Sequence, residues 1–552
     1  MKTTIIVLIA IVIAFAYKLV LARKLRHHNA RESMLRGCQR PPSVPTIGLF
    51  GTGTLRQSIK ATKEEWGPIW MHETLNSMGK HVHTVKAGIF DYELLVTRDA
   101  ENAKAMFAAQ SQDFDIGPHR EKCFKSLLGS GVMTNRQQKW KHSRALIRPQ
   151  FARHNVADIG LFERHFQILL EKIRVSDEDG WTSKLDLAPL FSNFTLDIST
   201  EFLFGQSVYS QSPDRRAYTK LEWDPRGPDI AQFGYHLDEA KRIIDRRGAL
   251  AKYGWLVYDR SFPSHCKAVQ DVVDHFVAEK VKETISVGED AGVGFSGDQK
   301  FVLLNELIRE TKNPLELRSE LLNVLHASRD TTASLLGWIF YFLSRHQAIF
   351  EKTRAEILHN ISDDPMSDVT FDKLWTCQYL QAVINETIRF VSIVPMNERV
   401  AIRDTTLPRG GGADGKSPVF VPKDTQVLIP TYSMQHREDI WGPDVDEYKP
   451  SRWQGRKFGW DFIPFGGGSR QCIGQQFART KVMFTVTRML QIFDVIENME
   501  GPGPIKMHHT IENKSGTGVQ VRLRRRLYSS SNQASGMFHD YGLGVERSEE
   551  LL

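Results

Sequence analysis

The sequence predicts a mainly helical α+β protein, in which one large helical domain with a minor β-sheet follows an N-terminal transmembrane anchor. Three observations carry that reading. A single long apolar run, TTIIVLIAIVIAFAYKLVLA, fills residues 3–22. Apolar side chains then recur at three- and four-residue spacing across residues 95–395, as in LFERHFQILLEKIRV (161–175) and KAVQDVVDHFVAEKVKETI (267–285). Extended signals are sparse: HVHTVKAG (81–88), ELLVT (93–97), VFVPKDTQVLIP (419–430) and GVQVRLRR (518–525).

Taken in order, residues 1–22 read as the anchor. The run is close to the roughly 20 residues that a membrane-spanning helix needs, and Lys18 can snorkel. Ala14-Phe15-Ala16 imitates a signal-peptide cleavage site. Arg23, Lys24 and Arg26 follow at once, resist translocation and hold the body in the cytoplasm, which favours a retained, single-pass anchor. Residues 23–45, basic and then rich in proline (Pro41, Pro42, Pro45), read as a stiff hinge. Residues 46–525 read as the single folded domain. Within it, SVGEDAGVGFSGDQK (286–300) is a surface loop. Residues 526–552 form a polar tail.

Composition narrows the function classes. Hydrophobic content of 41% and charged content of 25% suit a globular protein with a sizeable core. A net charge of +7 suits an anionic membrane surface or an acidic protein partner better than a nucleic acid. The five cysteines, at 38, 123, 266, 377 and 472, have no framework spacing, so a disulfide-stapled secreted protein is excluded in favour of a reducing compartment. Four Asn-x-Ser/Thr sequons occur, at Asn193, Asn360, Asn385 and Asn513. Asn385 falls in a strongly helical stretch, where glycosylation is not expected.

Two glycine-rich segments invite a phosphate-loop reading. In PRGGGADGKSPVF, Gly410 and Gly415-Lys416-Ser417 meet the letter of the Walker A pattern, but Pro418 and a β-branched run follow where a helix is required. FIPFGGGSRQCIGQQFA (462–478) has no Lys-Ser/Thr after its glycines. Its Cys472 instead meets the start of a helix over 473–493, where amides and the helix dipole favour a thiolate. Arg470 offers a planar fork to a carboxylate. A thiolate beside a carboxylate receptor fits haem, with sulfur on iron and the arginine on a propionate. A buried structural cysteine on a turn is the bland alternative.

Phe465-x-x-Gly468-x-Arg470-x-Cys472-x-Gly474 resembles the haem-binding signature of the cytochrome P-450 family. Three further motifs in family order extend the likeness over roughly residues 40–525. Trp140-x-x-x-Arg144 resembles the pair that reaches a haem propionate, and Arg399 a further propionate-binding position. In the predicted helix that opens at Asn313-Pro314, Asp330-Thr331 resembles the acid–alcohol pair that delivers protons for oxygen activation, with Ser328 where the family usually has glycine. Glu386-x-x-Arg389 with Arg452 resembles the family's buried charge network, a fold-fixing element.

The resemblance implies haem b with Cys472 as axial ligand and a mainly helical domain. It implies monooxygenation with dioxygen and NADPH electrons delivered by a membrane-bound cytochrome P-450 reductase, with cytochrome b5 as a possible second donor. The reductase is expected on the thiolate side near Arg470. Stretches such as 129–153, 195–205 and 404–425 look most like the fungal branch that hydroxylates n-alkanes and long-chain fatty acids. That branch implies a lipophilic substrate and an endoplasmic-reticulum location. Leu322, Leu325 and His326 are candidate pocket residues. The alternatives are a tailoring oxygenase for another lipophilic metabolite, and a membrane-anchored nucleotide-binding protein using Gly410–Ser417.

Overall fold

A computed structural model describes residues 2–48, 51–89, 92–176, 178–212, 228–286, 301–457 and 459–526. The expected tail beyond Arg526 and most of the expected 286–300 loop lie outside them. Its centre is the helix Pro314–Leu343, 30 residues long. Asn313 caps it, accepting from the amides of Leu315 and Glu316, and Pro314 occupies a position where no amide donor is needed. From Thr332 to Leu343 every side chain is buried, so this helix is the core and not a surface element. The helix Leu187–Phe204 packs along it, and Phe262–Ser286 and Gln378–Val391 flank it.

The helix Gln475–Ile492 closes the core from the other side. Its Phe477 and Phe484 meet Phe162, Phe166 and Phe202 with ring centroids 4.6–6.1 Å apart. Those spacings are ordinary for packed aromatic pairs.

The minor sheet has five strands in the order Thr84–Ile89, Tyr92–Thr97, Gln426–Pro430, Met396–Ala401 and Phe114–Asp115. All pairings are antiparallel except Tyr92–Thr97 with Gln426–Pro430. The four extended stretches read from sequence all become strands, and residues 419–430 split into two around a turn at 422–425. The hairpin Thr405–Gly411 and Ser417–Val421 contains the Walker-like residues. Lys416 lies exposed on its turn and a strand follows it, so no helix N-terminus faces a phosphate there. The nucleotide-binding alternative therefore has no structural basis at this site. Of the sequons, Asn385 is buried in its helix, as its helical context implied.

The expected hinge is not one. A single helix, Lys2–Leu35, runs through the basic cluster, and the proline-rich stretch behind it is bonded to the domain. Gln39 donates to the Pro418 carbonyl at 2.8 Å, and Val44 and Lys86 exchange bonds with the carbonyls of Lys86 and Pro42, also at 2.8 Å. His28 meets Asp404 at 2.9 Å. Prolines lack an amide but keep a strong acceptor, and the sheet edge uses it. Among the described residues no helix is long and apolar enough to cross a membrane. Part of the apolar run (Val7, Leu8, Ala10, Ile11, Val12, Ala14, Phe15, Leu19) has side chains outside the described set.

Two buried ionic features stand apart in the core. Glu386, with no exposure to water, accepts from Arg389, Arg452, the Trp453 indole and the Lys449 amide at 2.8–3.0 Å. Lys481 is equally buried, but its Nζ has no partner among the described residues and rests 4.8 Å from the Phe477 ring centre. Burial pushes its pKa down to about 7.

Opposite outcomes follow for the two sites. Glu386→Ala strands two guanidiniums in the core and costs about 3–5 kcal/mol, read as a lower urea midpoint or loss of folded protein. Lys481→Met removes an unpaired amine and raises the thermal midpoint by roughly a few degrees at pH 7. The unfolded chain takes up the lysine proton near 10.5 and the folded chain only near 7, so Lys481 erodes stability as pH falls between them. The gain from Lys481→Met therefore shrinks toward pH 10; a gain independent of pH would contradict this account.

Candidate active site

The glycine loop is shaped by close approaches. The Cys472 amide donates to the Phe465 carbonyl at 2.9 Å, which folds residues 465–472 into a tight arch. Gly466 and Gly468 both have positive φ, 70° and 63°. A Cβ on Gly468 would lie 1.7 Å from the Phe107 carbonyl oxygen, and one on Gly467 2.4 Å from the Trp460 ring. Only glycine fits at either place.

Cys472 stands just before the helix Gln475–Ile492, whose cap is Gly474. Its side chain is exposed, and its open surface faces a cavity of about 1910 Å³. Burial pushes the thiol pKa up, while the Gly474 amide and Arg144 pull it down by less. The helix terminus alone therefore does not make the thiolate that the sequence led us to expect: desolvation is the larger effect. A thiol in such a place ionises when a cation binds the sulfur directly.

Positive charge gathers on one rim of this cavity. Arg399, 7% exposed, donates to the Glu398 carbonyl at 2.6 Å, and its guanidinium lies 4.5 Å from the Phe107 ring centre. Burial and the nearby Arg120 and Arg470 lower its pKa to about 9. Arg470 meets Asp115 at 2.6 Å and the Asn135 carbonyl at 3.1 Å. It stands over the Trp140 ring at 4.2 Å, and Arg144 approaches the same ring at 5.7 Å while donating to the Gln471 carbonyl. Arg470 is thus turned inward and engaged with Asp115.

The helix Pro314–Leu343 forms the facing wall. Thr331 donates to the Ala327 carbonyl at 2.7 Å, the back-bond that bends a helix. Ser328 donates to Ser199 at 2.9 Å, so its hydroxyl is tied to the helix Leu187–Phe204. Asp330 pairs with Lys241, whose Nζ also meets Glu512 at 3.0 Å, and with Arg329 at 3.7 Å. Burial alone would raise the Asp330 pKa; Lys241 and Arg329 outweigh it and hold the carboxyl well below the usual range. Asp245, one turn after Lys241, goes the other way: burial and the Glu512 charge push it up to about 7.

Trp140, Arg144, Asp330, Thr331, Arg399, Phe465, Arg470 and Cys472 all line this one cavity. Glu386, Arg389 and Arg452 do not; they lie behind the loop, where Trp453 and Phe462 join the two regions at 4.6 Å. His326 also lines the cavity, whereas Leu322 and Leu325 are buried in the core and do not. The sequence reading missed His119 and Arg120, from the helix Pro118–Leu128, and the Lys241, Asp245 and Glu512 cluster. The Gly117-Pro118 helix start was the only local signal for the first pair.

Comparison with known proteins agrees with this geometry. The family model described as cytochrome P450 matches residues 54–518. A cytochrome P450 monooxygenase named g430 from Fusarium sp is 39% identical over 508 residues, covering 90% of this chain and 86% of that protein. Cytochrome P450 52A13 from Debaryomyces hansenii is 36% identical over 533 residues, with coverage of 94% and 97%. The crystal structure of the cytochrome P450DA heme domain superposes with a TM-score of 0.69 at 18% identity, covering 88% of this chain and 97% of that one; it bears on the fold alone. A family match over most of the chain, and relatives aligned almost end to end, leave one conclusion: the chain belongs to the cytochrome P450 family and is a haem-thiolate monooxygenase.

Proposed function

We propose that the protein hydroxylates a long-chain fatty acid or n-alkane at or near the chain end, with haem b held by Cys472. The observation that carries the reading is a single cavity with a cysteine on one wall, a rim of under-neutralised arginines, and a helix bearing Asp330 and Thr331 opposite. The residues present suit haem. The Cys472 thiol lacks only a cation at sulfur to ionise, and Arg399 and Arg144 have no carboxylate partner among the described residues. Arg144, Arg399 and Arg470 would bind the propionates, Trp140 would hold two of those guanidiniums in place, and Phe465 would pack beside the sulfur. Bound haem supplies the reduction of dioxygen and the transfer of one oxygen atom to a C–H bond, the other leaving as water.

Enzymes of this family need dioxygen, a substrate and a redox partner. For this chain the electrons come from NADPH through the membrane-bound reductase, with cytochrome b5 as a second donor. The Thr331 hydroxyl hands protons toward the reacting oxygen, and Asp330, held ionised by Lys241 and Arg329, relays protons to it rather than storing one. The lipid reading rests on the size and lining of the cavity. Its volume of about 1910 Å³, which has to hold haem as well as substrate, exceeds the roughly 300–1,000 Å³ of ordinary small-molecule sites. Met71, Leu75, Val96, Phe124, Ile393 and Leu428 are among the apolar residues that line it.

Residues 1–22 anchor the chain once in the endoplasmic-reticulum membrane, with the catalytic domain in the cytoplasm. Ile5, Ile6, Ile9, Ile13, Tyr17 and Val20 are all more than half exposed, a row of apolar side chains with no protein against it. The full-length protein is expected to stay with membranes through carbonate extraction; release into the supernatant would remove the anchor from this account.

The dithionite-reduced protein should show the red-shifted carbon-monoxide Soret band of a thiolate haem, and Cys472→Ala should lose it. Thr331→Val should keep that band and substrate binding while product formed per NADPH falls roughly 10²-fold and hydrogen peroxide takes its place. Equal coupling in both proteins would exclude Thr331 as the proton donor. A panel of n-alkanes and fatty acids against unrelated lipophiles tests the substrate class by product analysis.

A further inference from the structure

We propose that Glu320 is a positioning residue, which holds the loop 129–135 as one wall of the cavity and so sets where along a lipid chain the oxygen enters. The inference rests on the lipid reading above. Glu320 lies on the helix Pro314–Leu343, ahead of Asp330 and Thr331, and is 1% exposed. Its Oε2 accepts from the Val132 amide at 3.0 Å. Its neighbours on the helix complete the seat. The Asn323 side-chain oxygen accepts from the Met133 amide at 2.9 Å, while its nitrogen donates to the Leu128 carbonyl at 3.0 Å. Gly129 and Gly131 approach Ser319 and Asn323 so closely that a Cβ on either would collide with them. Val132 and Met133, held in this way, line the cavity.

Glu320 also reaches the next helix, Gln137–Ile147, which carries Trp140 and Arg144. The Ser143 side chain bonds to it. Asn135 donates to the Ser143 oxygen at 2.8 Å, and the Asn135 carbonyl accepts from Arg470 at 3.1 Å. One carboxyl group therefore joins the core helix, a cavity wall and the arginine rim. The loop itself carries no charged side chain. The charged groups that face Glu320 are Glu316, on its own helix, and His142, and these two pair with each other at 2.7 Å. Burial outweighs the Ser143 and Val132 bonds and pushes the Glu320 pKa up to about 7. Ionised, the carboxylate accepts from both donors. Protonated, it must turn its own hydrogen on one partner, and the Val132 bond loses its charge assistance. The loop is then held less tightly, and a shift of about 1 Å in a positioning wall is enough to change which carbon is presented.

The probe is a lipid that does not ionise, an n-alkane or a fatty-acid methyl ester. The ratio of terminal to in-chain alcohols formed in one reaction does not depend on how fast electrons arrive. With full-length wild-type holoenzyme that ratio should change about fivefold between roughly pH 6 and pH 8, the scale of one weakened hydrogen bond. Its midpoint should lie near the Glu320 pKa of about 7. Glu320→Gln keeps the shape of the side chain but cannot ionise. It should give the low-pH ratio of wild type at every pH, with haem content and the carbon-monoxide band unchanged. Ser143→Ala removes a bond that favours the ionised form, so its midpoint should move up by about one pH unit.

A wild-type ratio that does not vary with pH would overturn the proposal, as would a Glu320→Gln ratio that titrates like wild type. Lower thermal stability in Glu320→Gln with the wild-type ratio at each pH makes the residue structural only, and also overturns it. Should Glu320→Gln emerge without haem, Ser143→Ala decides: an upward move of the midpoint supports the assignment, and an unmoved midpoint overturns it. Wild type that forms no alcohol from any of these lipids overturns the lipid reading and this inference with it, whereas a pH-independent ratio from active enzyme overturns this inference alone.

Discussion

Glu386 is the fixed point of the molecule. A carboxylate with no access to water is tolerable only when its oxygens are saturated, and here two side-chain guanidiniums, an indole and a backbone amide saturate them. The donors come from its own helix and from residues 449–453, so the network sets the distance between the helix Gln378–Val391 and the segment that leads into the glycine loop. Arg389 extends it by donating to the carbonyls of Gln435 and Glu447. Arg452 does the same toward Asp444. Trp453 then packs on Phe462, three residues before the arch that carries Cys472. The position of the thiol is therefore inherited, through rigid contacts, from a charge network that never touches the cavity.

Two kinds of electrostatics meet across that cavity. Around Asp330 the charges are closed: Lys241 joins it to Glu512, and Arg329 spans Asp330 and Asp238. Around Arg399 they are open, because cations outnumber anions and burial depresses the pKa of both Arg399 and Arg470. A closed network fixes structure and asks for nothing. An open one, kept from water, is complete only with an anion bound. The contrast separates the side of the cavity with unbalanced positive charge from the side where an acid is already paired.

The parts of this arrangement that were legible in the sequence are those in which partners are close along the chain. Glu386 and Arg389 are one helical turn apart, Trp140 and Arg144 are four residues apart, and Asn313-Pro314 announces its own helix. The Thr331 back-bond spans a single turn as well. What stayed hidden depends on distant segments. Lys241 reaches Asp330 from 89 positions away and Glu512 from 271, and no pattern in the intervening chain encodes those meetings. The hinge was misread for a related reason. Prolines predict stiffness, but the Pro42 carbonyl remains an acceptor, and strand Thr84–Ile89 lies alongside to use it. For Cys472 the helix terminus can be read from sequence, whereas the burial that raises its thiol pKa until a cation binds the sulfur cannot.

The two glycine-rich segments show why flanking context, and not glycine content, carries the meaning. In Gly410–Ser417 the glycines serve a hairpin: Gly410, Gly412 and Gly415 adopt positive φ so that two short strands can pair, and the lysine is left in solvent. Gly411 also excludes a side chain, since a Cβ there would lie 2.6 Å from the Gln39 carbonyl oxygen; in 466–468 the exclusion is tighter. The Gly468 Cα lies so near the Phe107 carbonyl that any side chain would collide with it, and this contact brings the arch down onto the sheet-side core. Conformational freedom alone would be met by several sequences, including asparagine at one position or another. Steric exclusion by a backbone oxygen is met by glycine only. That requirement ties the loop carrying Cys472 to the segment around Phe107, against which Arg399 also rests, so the thiol and the cation rim are positioned by the same short stretch of backbone.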